Sequence, residues 1–120
     1  MRSLLANKYI VAIICFFVLS VAVLSAQVPQ RPSPARLVND FAGIFDSGQV
    51  AEMENSLEQF AKNTSNQIVV VTVPELYGMD KSELAFEIGI KWGVGQKKFN
   101  NGVVILVKPK VGNSKGEVFI

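Results

Sequence analysis

Gln67-Ile68-Val69-Val70-Val71-Thr72-Val73 decides how this chain of 120 residues folds. A short β-branched run without polar alternation predicts a strand buried on both faces, and Pro74 ends it. A second uninterrupted apolar run, Val103–Val107, predicts a second buried strand. Between the two lies a helix signal. Asp80 stands as N-cap with Glu83 three residues on, the spacing of a capping box. Leu84, Ala85, Ile88 and Trp92 then recur at helical spacing, and Gly93 is placed to stop the helix. Strand, helix and strand make a βαβ unit, so the two strands should be parallel with a right-handed crossover. Lys108–Gly116 reads as a turn. Glu117–Ile120 then opens a third strand, expected antiparallel to the second.

Towards the N-terminus, Asp46 and Gln49 have the spacing of another capping box, with Phe45 and Val50 placed as a hydrophobic staple. Val50, Met53, Leu57, Phe60 and Ala61 form the expected buried stripe. Glu52, Glu54 and Glu58 cover the other side, and Asn63 fits a C′ position. Val38–Phe45, interrupted by Asn39-Asp40 and Gly43, is expected to be an ordered lead-in packed on the core. The predicted fold is α/β: a βαβ unit with a preceding helix and a third, antiparallel strand, three-layer and sandwich-like. Three strands and two helices cannot cover both sheet faces, so the domain is expected to be truncated at its C-terminus.

The first 26 residues are not fold material. Arg2 and Lys8 precede an apolar run from Tyr9 to Leu24, then the small-residue site Leu24-Ser25-Ala26, then Gln27. Charge, apolar run and small-residue site in that order predict a cleavable secretory signal over residues 1–26. The run is shorter than the 20 or so apolar residues of a spanning helix, so cleavage is favoured over an uncleaved anchor. Cys15 lies inside the run behind Ile14, which is too large for a lipoprotein site. Residues 27–36 contain three prolines and read as an extended linker. Residues 37–120 form the α/β domain. The expected location is outside the cytoplasm, periplasmic or extracellular. Anchoring through an uncleaved N-terminus or a further C-terminal segment is the alternative.

Composition narrows the chemistry. The chain has no histidine, and its single cysteine lies in the signal. Ser-His-Asp and Cys-His catalysis, disulfides and the usual zinc sites are excluded. What remains is carboxylates, amides, hydroxyls, lysines or an oxygen-bound metal. Beyond residue 26 the chain carries ten basic and ten acidic residues. The acids concentrate in residues 38–87 and the lysines in 97–120, where Lys97, Lys98, Lys108, Lys110 and Lys115 face Glu117 alone. A dipolar domain without a net basic face does not bind nucleic acid by the usual electrostatics. The lysine-rich end suits an acidic partner or anionic lipid.

Three segments in order carry a family resemblance: Val38-Asn39-Asp40-Phe41-Ala42-Gly43, then Gln67–Val73, then Lys91-Trp92-Gly93-Val94-Gly95 leading to Asn100-Asn101-Gly102 and the strand Val103–Val107. Together they resemble the TPM domain, found in exported bacterial proteins and in a thylakoid-lumen protein of photosystem II repair. The resemblance spans about residues 37–120, and its most specific part runs from Trp-Gly-x-Gly to the Asn-Gly strand. Many family members carry an acidic residue where this sequence has Asn100, and most continue after the third strand into further helices. The resemblance implies an α/β domain outside the cytoplasm. Divalent-cation binding and phosphatase activity have been attributed to the family.

The residues allow both attributions to be weighed. Ca²⁺ or Mg²⁺ takes several oxygen ligands. Helix N-termini lie at the carboxyl edge of parallel strands, where ligands of open α/β sheets bind. Asp46 and Asp80 belong at that edge, with Glu75 just after a strand and Asp40 from the lead-in, so these four are the candidate metal ligands. All of them also have ordinary roles, as helix N-caps or solvated loop residues. No Gly-rich phosphate loop is present, because Trp92-Gly93-Val94-Gly95 follows a helix rather than opening one. Asn100, Asn101 and Gly102 are read as a turn whose amides could orient a ligand. Trp92 is expected in the core. Two functions stay open: a module acting on a protein partner in or near a membrane, as in the maintenance of membrane-protein complexes, and a divalent-metal-dependent phosphatase.

Overall fold

The computed structural model describes residues 2–21, 28–96 and 101–120. It contains α1 (Arg2–Val21), β1 (Val38–Asp40), α2 (Ser47–Thr64), β2 (Asn66–Thr72), α3 (Lys81–Lys91), β3 (Asn101–Lys108) and β4 (Glu117–Phe119). The strands form one sheet in the order β1-β2-β3-β4. β1 runs parallel to β2 and β2 parallel to β3, while β4 returns antiparallel to β3. The predicted βαβ unit and the antiparallel third partner are both present. The lead-in, however, is a strand. β1 pairs Val38 with Val70 and Asp40 with Thr72, so two βαβ units follow one another.

Register divides the sheet into two unlike faces. Val69, Val71 and Val73 stand beside Leu106 on one face, all at most 1% exposed. They pack with Leu84, Ala85, Ile88 and Trp92 of the α3 segment, while Leu57 of α2 joins the same cluster from the side. Both helices therefore cover one face. Leu84 and Ile88 are fully buried, and burial of each such side chain stabilises by about 1.5–3 kcal/mol. On the opposite face Ile68, Val70, Ile105 and Val107 are only half-buried, and Val118 is exposed. The expectation of burial on both faces is thus corrected: β2 alternates as far as Val71, with only Thr72 fully buried on the second side, because no helix among the described residues lies there. The described residues form two layers, not the three expected.

The helix ends follow their side chains. Asp46 and Gln49 close the first capping box in both directions, at 2.8 and 3.0 Å. At α3, Asp80 Oδ2 accepts from the Ser82 N–H and hydroxyl. Ser82, not Glu83, is thus the bonded partner, because a hydroxyl two residues on reaches the cap oxygen. Gly93, at φ +64°, ends α3 in a Schellman motif, with Val94 N–H bonded to Gly89 O and Gly93 N–H to Ile90 O. The α2 stop lies beyond Asn63: the left-handed residue is Ser65, at φ 59°.

No residue of α2 is buried, and Phe60 of its predicted stripe is 38% exposed. A polar clamp supplements its partial apolar packing. The Glu54 carboxylate accepts from the N–H groups of Leu37 and Val38, each at 2.8 Å. Expected to face water, Glu54 instead ties the helix to the entry of β1 and satisfies two edge-strand donors.

The proline segment is docked rather than held away. Val28 packs on the core cluster, and Pro29 O accepts the Trp92 indole N–H at 2.9 Å. Arg31 Nη1 donates to Trp92 O at 2.6 Å. Residues 6–17 of α1 are exposed. Among the described residues no helix is long and apolar enough to cross a membrane. The small-residue site at 24–26 lies outside the described residues.

Removing the clamp strands two backbone donors. Glu54→Ala should lower unfolding free energy by about 1–3 kcal/mol. Exposed Glu58→Ala should stay within about 0.5 kcal/mol of the parent. Urea unfolding of both variants measures the difference, and equal midpoints would contradict the clamp.

Candidate functional site at the carboxyl edge of the sheet

Parallel strands bring the ends of β1 and β2 to one edge, where the loops into α2 and α3 leave. Asp40 closes β1 there. Its Oδ1 accepts from the Thr72 hydroxyl at 2.5 Å and from Ile44 N–H at 3.0 Å, and Oδ2 accepts from Phe45 N–H at 3.0 Å. Thr72 Oγ1 in turn accepts from Ala42 N–H at 3.1 Å. The loop 41–45 is thus wound around one carboxylate and one hydroxyl. Burial pushes the Asp40 carboxyl up, but the bonds from Thr72 and from the N–H groups of Phe45, Ile44 and Gly43 outweigh it and hold the group below its ordinary 3.8.

Asp80, opening α3 after β2, is also held below its ordinary value, first by the Ser82 hydroxyl and then by the Ser82 N–H. Asp46 serves its capping box. Glu75 is exposed just beyond β2. Its charge adds to burial, the larger cause, in raising the Tyr77 phenol above its ordinary 10.0. Tyr77 has φ 55° and precedes Gly78 at φ 77°. A bulky residue in the left-handed region is uncommon. The turn is closed by Met79 N–H on Leu76 O at 3.0 Å. Thus Asp40 ends β1, and Asp46, Glu75 and Asp80 lie in the connections that leave the same edge. Among the described residues no group of three or more Asp, Glu, His or Cys is placed to hold a metal ion.

Asn101 and Gly102 lie elsewhere. They pair with Asn66 and Gln67 at the amino edge, some 20 Å along the sheet at roughly 3.3 Å per residue. Asn100 falls outside the described residues, as do Lys97 and Lys98. Here the glycines serve a backbone contact. A Cβ on Gly95 would stand 2.3 Å from Gly102 N, and one on Gly102 would stand 2.6 Å from Gly95 N. Gln67, 7% exposed, holds the same turn through Oε1, which accepts from Gly95 N–H at 2.9 Å. The Trp-Gly-x-Gly and Asn-Gly segments are therefore two halves of one pinch that closes the loop between α3 and β3.

The TPM-domain family model matches residues 38–119. The chain belongs to the TPM-domain family. The match begins at β1 and ends at β4, so it covers the whole sheet of this TPM domain, with the Asp40–Thr72 network and the glycine pinch. No curated protein matches the chain.

Sequence reading missed three residues of this architecture. Thr72 looked like one more β-branched strand residue. Gln67 was read only as the first residue of the strand run. Tyr77 was not singled out, although Gly78 beside it is a turn residue able to take positive φ.

Two outcomes are expected. Asp40 is depressed in the folded state, so its contribution is present above pH 3.8 and is lost as pH falls through the lower folded value. The stability gap between the parent and Asp40→Asn, measured by urea unfolding, should be constant near neutrality and close on acidification below pH 3.8. Parallel profiles would contradict this. At the pinch, Gly95→Ala drives Cβ into backbone and should cost on the order of 3 kcal/mol or more. Gly43→Ala, at φ +64° with nothing within 4 Å, should cost about 1–2 kcal/mol. Thermal melts of the two variants compare them.

Proposed function

We propose that this TPM domain is exported and acts outside the cytoplasm as a binding module, through contact with a protein partner in or near a membrane, in the maintenance of membrane-protein complexes. Export is supported by Arg2 and Lys8, the apolar run and the small residues at 24–26, in the order of a secretory signal. A single observation carries the module reading. Three of the four carboxylates best placed for chemistry already serve the fold: Asp40 gathers its loop, Asp46 caps α2 and Asp80 caps α3.

A second reading, a Ca²⁺- or Mg²⁺-dependent phosphatase, is favoured by one specific feature. Asp40 and Asp80 are both biased to the ionised form at the same sheet edge, and ionised carboxylates are the ligands a hard cation takes. In that reading Asp40 and Asp80 would hold the ion, with Asp46 or Glu75 beside them, and the ion would activate water.

The full chain, produced in a bacterium with an intact export pathway, separates these readings. Fractionation and N-terminal mass analysis should find the protein outside the cytoplasm, starting near Gln27. Protein retained in the cytoplasm with its first residues intact would contradict export. Purified protein should give no phosphomonoester turnover above background with calcium or magnesium, and neither ion should raise its Tm. Turnover abolished by chelator and by Asp40→Ala would instead establish the phosphatase.

A further inference from the structure

We propose that the groove beside Trp92 is a recognition site for an extended, proline-containing peptide, occupied in part by the chain's own Val28–Pro32 segment and able to take the same segment from a second copy. This goes beyond the reading above and does not depend on it.

The evidence lies in the kind of contact made. Proline has no N–H, so a proline-rich strand offers carbonyl oxygens as its main-chain polar handle. The indole N–H is a donor only, and it meets one such carbonyl, that of Pro29, at 2.9 Å. The bond is answered two residues on, where the Arg31 guanidinium donates to the Trp92 carbonyl at 2.6 Å. Trp92 thus presents a side-chain donor and a main-chain acceptor to one peptide, at a spacing that tests both its carbonyl and its arginine. Val28, packed on the core cluster, supplies an apolar anchor. Proline-rich ligands dock in grooves lined by aromatic side chains, and Trp92 is the aromatic of this one.

Two further features fit an exchangeable ligand better than a built-in element. The segment belongs to neither strand nor helix, and Gln30 and Ser33–Arg36 are exposed. Nor does it fill its site. A groove of about 1120 Å³ remains beside Trp92, bounded by Leu37, Gln67 and Lys62, with Arg31 at its margin. The Nε of Arg31 is buried there with no partner among the described residues. A docked segment joined to its site by a short connection is the arrangement from which copies exchange segments.

A peptide-binding measurement on the full chain tests this. The probe is a fluorescein-labelled peptide with the sequence of residues 28–36. In the parent chain the attached segment competes at an effective concentration on the order of mM, so binding should be weak. In a chain carrying Val28→Ser and Arg31→Ser the site is vacated, and the probe should bind at least about tenfold tighter by fluorescence anisotropy. Adding Trp92→Phe, which keeps a ring but removes the N–H, should abolish that gain. A probe carrying Arg31→Ser should bind no better than a scrambled peptide, and this arm decides the matter even where Trp92→Phe fails to fold. The proposal is overturned if the vacated chain binds the probe no better than the scrambled peptide, or if neither the tryptophan nor the probe's arginine matters.

Discussion

Everything in this domain hangs on burial of one sheet face beneath α3. Val69, Val71 and Val73 of the β2 run meet Leu84 and Ile88, and all five are shut off from water. That contact sets the register of β2, since a slip of one residue would turn Ile68 and Val70 towards the helix instead. It also holds α3 antiparallel to the strands, which places Asp80 at the carboxyl edge and Trp92 at the amino edge. The two ends of the sheet acquire different chemistry for that reason alone.

At each end, polar groups finish what apolar burial begins. On the carboxyl side Asp40 and Thr72 organise a loop that has little apolar substance of its own. On the amino side Gln67 seats Gly95 against Gly102, and Trp92 holds the proline segment. Between them Glu54 binds α2 to β1. A helix with no buried residue would otherwise rest on half-buried Val50, Met53, Leu57 and Ala61. These contacts explain why a short, polar β1 is stable: Asn39 and Asp40 are poor strand formers, but the Asp40 carboxylate and the Asn39 amide nitrogen find partners, and only Asn39 Oδ1 is buried without one among the described residues. Asp40 takes Thr72 and its own loop, and Asn39 donates to Arg36 O.

The same division runs through the candidate site. Acids at two helix starts, and Glu75 just after β2, were readable as edge residues, because capping spacing and parallel topology put them there. That Asp40 would be engaged by Thr72 was not readable, since the pair is separated by 32 residues and meets only through strand register. The pinch was half readable. Gly95 was visible as a turn former, but Gly102, read as part of a turn, is a strand residue of β3, and nothing local showed that the two backbones touch.

What the residues settled by themselves was local and periodic: the two apolar runs, the caps at Asp46 and Asp80, the stop at Gly93 and hence a parallel βαβ unit. Each depends on neighbours within a few positions, where hydrogen-bond geometry and side-chain period leave little choice. Tertiary structure decided which face of β2 is covered, that the lead-in is a strand, that Glu54 points inward, and that the proline segment lies on Trp92. Those depend on groups far apart in the chain, whose meeting is governed by packing and by the demand that buried polar atoms find partners.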